Sequence, residues 1–157
     1  MKKLAALLLL CAIAVEVSWA VGSGNAAYVG GTISSIKEGT EGKSSAKDDK
    51  TFVFEYKIKK EMEKLTIPYD RIDSLEYGQK AGRRLGAAVL VNPMFILSHK
   101  RKHYLTIGYT DENDKQQAVV LELGKDVVRT TLAALEARSG RKIEYQDEEA
   151  RHSGRGN

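Results

Sequence analysis

The chain has 157 residues, 25 Lys and Arg against 21 Asp and Glu, 42% hydrophobic residues and a single cysteine, Cys11. That length suits one domain with a proper core and not two. One cysteine excludes a disulfide framework, and the basic surplus is too local for a general nucleic-acid coat.

Residues 1–20 have the three-part form of an export signal. Lys2 and Lys3 give a positive start, Leu4 to Val15 an unbroken apolar run, and Ser18-Trp19-Ala20 a small-x-small cleavage site. The run is about 12 residues against the roughly 20 a bilayer-spanning helix needs, so cleavage after Ala20 is expected and a permanent anchor is not. Leu10 stands where a lipoprotein signal would carry a small residue before Cys11. Removal of the leader leaves no thiol and places the mature chain in the periplasm or outside the cell. It also removes Lys2, Lys3 and Glu16, leaving 23 basic and 20 acidic residues.

Residues 21–27 read as a linker and 28–142 as the domain. Tyr28 to Ile36 carries a weak strand signal. The 38–50 stretch EGTEGKSSAKDDK is a Gly, Ser, Lys and Asp loop, expected to be mobile. In TFVFEYKI, residues 51–58, Phe52, Phe54, Tyr56 and Ile58 alternate with Thr51, Glu55 and Lys57, the period-2 pattern of a half-buried strand. Leu65, Ile67 and Tyr69 repeat it, Ile72 to Tyr77 weakly so, and His103, Leu105, Ile107 and Tyr109 clearly. A polar DENDK turn then precedes Val119, Leu121 and Leu123. The period changes at Asp126, where Val127, Val128, Thr131, Leu132, Ala134 and Leu135 recur at helical spacing up to Ser139, with Gly140 suited to the end. Residues 143–157 are polar, mixed in charge and read as a disordered tail.

The expected fold class is mainly β, about six or seven strands closed by one C-terminal helix. The stretches LTIPYDRIDSLEYG (65–78), KRKHYLTIGYTD (100–111) and AVVLELGKDVVRTTLAALEARSG (118–140) give this pattern a resemblance to the pleckstrin-homology-like superfold, and within it to the small bacterial PH and GRAM-like domains. The resemblance covers about half of the mature chain and rests on a pattern, since the superfold has no invariant ligand motif. It implies a split barrel capped by its terminal helix and a binding or scaffolding role. Phosphoinositide-binding members carry a basic first loop. Here Lys43, Lys47 and Lys50 are set against Glu41, Asp48 and Asp49, so that site is not carried over.

Chemistry-bearing motifs are sparse. His99 and His103 stand four apart, but Lys100, Arg101 and Lys102 would repel a metal ion and no acid or thiol lies near. Asp111, Asn113 and Glu122 fit three positions of a calcium loop, which fails at Lys115 and at Gln116, where the sharp turn needs glycine. Gly42-Lys43-Ser44 echoes the end of a phosphate loop whose first glycine is replaced by Lys37. Carboxylates such as Glu55, Asp70 and Asp73 cannot be paired from the sequence. No cofactor, no metal and no enzyme activity is expected.

One stretch does not fit a connecting loop. Residues 85–97, LGAAVLVNPMFIL, are apolar and fenced by Lys80, Arg83 and Arg84 before and Lys100, Arg101 and Lys102 after. Residues 77–110 hold those six cations and no acid, so the rest of the mature chain is net acidic. As one helix the stretch would be about 20 Å long, too short for a hydrocarbon layer of roughly 30 Å, and Asn92-Pro93 favours two short arms over one rod. Burying Leu85, Val89, Leu90, Val91, Met94, Phe95, Ile96 and Leu97 is worth up to about 12 to 24 kcal/mol before ordering entropy. Two readings follow. The first is a non-enzymatic envelope module that dips these residues into a membrane while the six cations grip anionic lipid head groups, at about 1 kcal/mol each. The second makes the stretch a core element or an interface with an envelope protein or a second copy. Neither involves nucleic acid.

Overall fold

The clearest product of alternation is the strand at residues 51–58, where Phe52, Phe54 and Tyr56 are buried and Lys57 and Ile58 are exposed at its end. The computed structural model describes residues 23–79 and 102–155. Within them run β1 (Ser23–Gly31), β2 (Thr40–Ser45), β3 (Thr51–Ile58), β4 (Glu61–Pro68), a 3-10 turn (Tyr69–Arg71), β5 (Ile72–Gly78), β6 (His103–Thr110), β7 (Gln116–Leu123), α1 (Val128–Ser139), β8 (Ile143–Tyr145) and α2 (Glu148–Arg155). The protein is mainly β with a helix at its C-terminal end.

The eight strands form one sheet in the order β4-β3-β2-β1-β7-β6-β5-β8, with β4 and β8 at its two ends. Every pairing is antiparallel except β5 with β8. Phe52, Phe54 and Ile67 from one half of this order share a single core cluster with Leu75, Leu105, Ile107 and Leu121 from the other half. Val128, Leu132 and Leu135 of α1 complete it. A bulge at Val29 shifts the register of β1 against β7, and a second at Asp73 does so for β5 against β6. Such insertions bend a strand and increase its twist.

Four expectations are corrected. The sheet has eight strands in place of six or seven, because two segments with no apolar alternation join it. The 38–50 stretch supplies β2, a strand of small residues: a Cβ at Gly42 would strike the Glu55 carbonyl and come within 3.0 Å of the Phe54 ring, and Ser44 is fully buried. Beyond it the chain is pinned. Asp48 Oδ1 accepts the Lys50 and Thr51 amides, each at 2.8 Å, and the Arg138 guanidinium donates to the Ala46 carbonyl and to the Asp48 carbonyl at 3.0 Å while lying 5.7 Å from the centre of the Tyr69 ring.

The polar tail is the second such segment, and it forms β8 and α2. Its polarity is real, but Ile143 and Ala150 are buried, and Gly154 packs so tightly that a Cβ there would lie 2.7 Å from the Tyr145 ring and 3.1 Å from Leu132. Strand and helix run from Ser23 to Arg155. The last correction concerns α1, which begins at Val128 behind Val127 and not at Asp126. Gly140 ends it at φ 70°, a left-handed turn that suits glycine.

Candidate functional site at the base of the β5–β6 hairpin

β5 and β6 pair from Ile72 with Tyr109 up to Gly78 with Tyr104, and there the chain leaves the sheet and returns to it. Leu85, Val89, Leu90, Val91, Met94, Phe95, Ile96 and Leu97, with Lys80, Arg83, Arg84, Lys100 and Arg101, lie outside the described residues. What the fold fixes is their point of attachment: both ends of the stretch are handed to one end of one hairpin.

Lys102 is the described member of the collar, and it has a partner. Its Nζ donates to Glu122 Oε2 at 2.8 Å, with the two side chains 30% and 25% exposed. Glu122 stands opposite Tyr104 in the β6–β7 register. Lys102 therefore reaches from the start of β6 to β7 on the sheet face that carries Tyr104 and Glu122.

On the other side of the hairpin the Tyr77 hydroxyl sits between His103 Nδ1, at 2.6 Å, and Ser153 Oγ, at 3.0 Å. The Tyr77 and His103 rings stack at 6.2 Å, and Tyr145 meets Tyr77 edge-on at 6.0 Å. Burial raises the Tyr77 phenol above its ordinary range, against the Ser153 hydrogen bond. Burial, helped by Lys125 and opposed by Glu122, lowers His103, so the neutral imidazole is the favoured form. In the tautomer protonated at Nε2, the neutral ring accepts a hydrogen bond from the phenol at Nδ1. Because Tyr77 stands between Ser153 and His103, the serine does not contact the imidazole, and the chain of bonds acts as a tie from α2 to the hairpin. A second tie runs from Gln146, whose amide donates to Glu76 Oε1 at 3.1 Å and whose side chain occupies the space beside Gly78 that a Cβ would take.

The sheet face bearing Tyr104 holds what sequence reasoning missed. Leu105 and Ile107 of β6, and Val119 and Leu121 of β7, point into the core cluster. Tyr104 and Val120, their neighbours in sequence, point the other way, yet they are 3% and 1% exposed and stand outside that cluster. Val29, at the bulge beside Val120, is 0% exposed and also outside it. Among the described residues the buried Tyr104 hydroxyl has no hydrogen-bond partner, and burial, reinforced by Glu122, pushes its pKa up to about 12. Two apolar neighbours in one strand, Tyr104-Leu105 and Val119-Val120-Leu121, are the available signal, because a strand covered on both faces loses alternation. Beside this patch a shallow hollow of about 350 Å³ is bounded by Asn25, Ala27, Glu41, Gly42 and Glu122.

The other motifs resolve into structure. His103 is the first residue of β6, so the four-residue spacing from His99, which is outside the described residues, has no helical meaning; His152 lies exposed on α2. Among the described residues no group of three His, Cys, Asp or Glu side chains could hold a metal ion. Asp111 caps the β6–β7 turn by accepting the Asn113 amide at 2.8 Å, the Lys115 amide at 3.0 Å and the Gln117 side-chain amide at 2.8 Å, bonds that hold its carboxyl below the usual range. Gly42-Lys43-Ser44 lies in β2, where a phosphate loop would need an open turn. Glu55 pairs with Lys64 at 3.1 Å and Asp73 accepts from Thr110 at 2.9 Å, two separate surface contacts. Among the described residues no helix is long and apolar enough to cross a membrane.

No protein-family model and no curated protein matches the chain.

Proposed function

We propose that this chain is a non-enzymatic, PH-like binding module of the cell envelope that associates with anionic membrane through residues 80–102. The PH-like reading is supported by the strand order β4-β3-β2-β1-β7-β6-β5, two consecutive meanders joined through β1 and β7, with α1 following β7 and packing into the shared core. On this reading the sheet is a split barrel and α1 its plug, with export by the leader carrying it to the periplasm or beyond.

The observation that carries the membrane role is the pairing of Gly78 with Tyr104. It ties both ends of the apolar stretch to one point, so the cations at 80, 83 and 84 and those at 100 and 101 are each within a few residues of that point along the chain. Five cations at about 1 kcal/mol each, with Lys102 left out because Glu122 engages it, still supply roughly 5 kcal/mol toward an anionic leaflet, weakened by salt.

The test is flotation of the purified protein with vesicles. Binding to vesicles rich in anionic lipid, partial release by salt, and little binding to neutral vesicles are expected. Protein that stays at the bottom of the gradient with every lipid composition would reject the proposal. A second reading, in which the stretch is an interface or a structural element, draws support from the enclosed residues Val29, Tyr104 and Val120. It predicts that Val91→Asp with Phe95→Asp breaks assembly or folding and that lipid has no effect.

A further inference from the structure

We infer that His103 carries its imidazole proton on Nδ1, so that the bonds from β6 through Tyr77 to α2 form a one-way chain of donors that acid does not open. Protons can be counted against contacts. Tyr77 Oη lies 2.6 Å from His103 Nδ1 and 3.0 Å from Ser153 Oγ, and Ser153 Oγ lies 3.0 Å from the Ala150 carbonyl oxygen. Each hydroxyl has one proton to give, and the carbonyl has none.

Three contacts need three protons, and Tyr77 and Ser153 supply two. With Nδ1 bare, Tyr77 gives its proton to the ring. Ser153 must then choose between Tyr77 and Ala150, and one contact between lone pairs is left without a proton beside a phenol that is 0% exposed, where an unmade bond is costly. With the proton on Nδ1 every contact is filled in one direction: His103 donates to Tyr77, Tyr77 to Ser153, and Ser153 to the Ala150 carbonyl. The tie between the hairpin and α2 thus runs one way and ends in the first turn of that helix.

The ring then titrates at its other nitrogen. Burial and Lys125 favour the neutral ring, which leaves Nε2 bare, and burial keeps the Tyr77 phenol protonated, so the middle link stays filled. A proton added by acid goes to Nε2, and no bond in the chain changes direction. The opposite tautomer would behave otherwise, because its added proton arrives at Nδ1, facing the Tyr77 proton, and the chain must reverse or part. The surrounding groups leave this order intact. Tyr77 bonds the ring from β5, while Glu122 on β7 and Lys125 after it act by charge, and Lys102 is engaged by Glu122. α2 reaches the ring through Ser153 and Tyr77; Tyr145 meets Tyr77 edge-on, with Arg155 over Tyr145. The consequence is a clamp that keeps α2 seated on the base of the β5–β6 hairpin in acid, whatever the module binds.

Nitrogen-15 NMR of the full chain, labelled at histidine, tests this through the long-range couplings of the His103 ring. Above the ring's titration we expect the protonated type of shift at Nδ1 and the bare type at Nε2; the reverse assignment would overturn the inference. Ser153→Ala removes the group that accepts the Tyr77 proton, so that proton turns back to the ring. The ring should then pass to the Nε2 tautomer, whereas Ser153→Thr should keep the proton on Nδ1. A tautomer indifferent to Ser153→Ala would also overturn it. Hydrogen exchange supplies the third readout: protection of α2 amides relative to those of β6 should change by less than about twofold as the ring takes its second proton, and a loss of about tenfold would contradict an acid-stable clamp.

Discussion

The two faces of β6 and β7 obey the same chemistry under different constraints. On the inner face Leu105, Ile107, Val119 and Leu121 pack into one cluster with α1 and with the aromatic residues of β3. On the outer face Val120 and Tyr104 are enclosed as completely, yet they stand outside that cluster. Among the described residues each side holds one buried hydroxyl without a hydrogen-bond partner, Thr131 Oγ1 on α1 and Tyr104 Oη on β6. The two faces therefore differ in what they pack against and not in how well their polar groups are satisfied.

The contrast is broken most forcefully from the inner side. Phe54→Ala removes a fully buried ring stacked 5.5 Å from Tyr56 and is expected to cost about 3 to 5 kcal/mol in urea unfolding. A loss under 1 kcal/mol would mean that the inner cluster is not the core. Gly154→Val should cost about 1 to 3 kcal/mol by forcing a side chain into the Tyr145, Leu132 and Tyr77 contacts. Hydrogen exchange should then show α2 losing protection before the sheet does. Tyr104→Phe sharpens the outer side with the opposite sign: deleting an unpaired buried hydroxyl is expected to raise stability by about 1 kcal/mol, where the same change at a satisfied tyrosine would lower it.

The smallest effect is in pH. His103 has its folded-state pKa held below the ordinary 6.5, so the unfolded chain takes up the proton more readily than the folded one. Its contribution to stability is complete above pH 6.5, declines as pH falls through that value, and levels off below the folded-state pKa. Tyr77 bonds it, and Lys125 and Glu122 act on it electrostatically. Unfolding measured from pH 8 to pH 5 should lose part of this slope in His103→Phe, and an unchanged slope would assign the pH dependence to other groups.

Much of this was legible in the residues. The alternation of Phe52, Phe54 and Tyr56, of Leu105, Ile107 and Tyr109, and of Val119, Leu121 and Leu123 locates three strands and their inner face, and the change of period after Asp126 locates α1. β2 is illegible for a physical reason: its inner positions, Gly42 and Ser44, lie under the Phe54 ring and the first strand, where only small groups fit, so no apolar period exists to be read. α2 is illegible because an eight-residue helix buries only Ala150 and Gly154, two residues without hydrophobic bulk. The outer patch was half legible, since paired apolar neighbours in β6 and β7 signal two covered faces. The partner chosen by Lys102 was not, because Glu122 is 20 residues away and only the register brings it close.

One comparison of vesicle binding tests the central claim most directly. The full chain and its Val91→Asp, Phe95→Asp form are floated on the same anionic vesicles, with circular dichroism verifying that both are folded. The account predicts that the unaltered chain rises with the vesicles and that the doubly substituted one stays behind. Equal recovery of both with the lipid, or of neither, would contradict it.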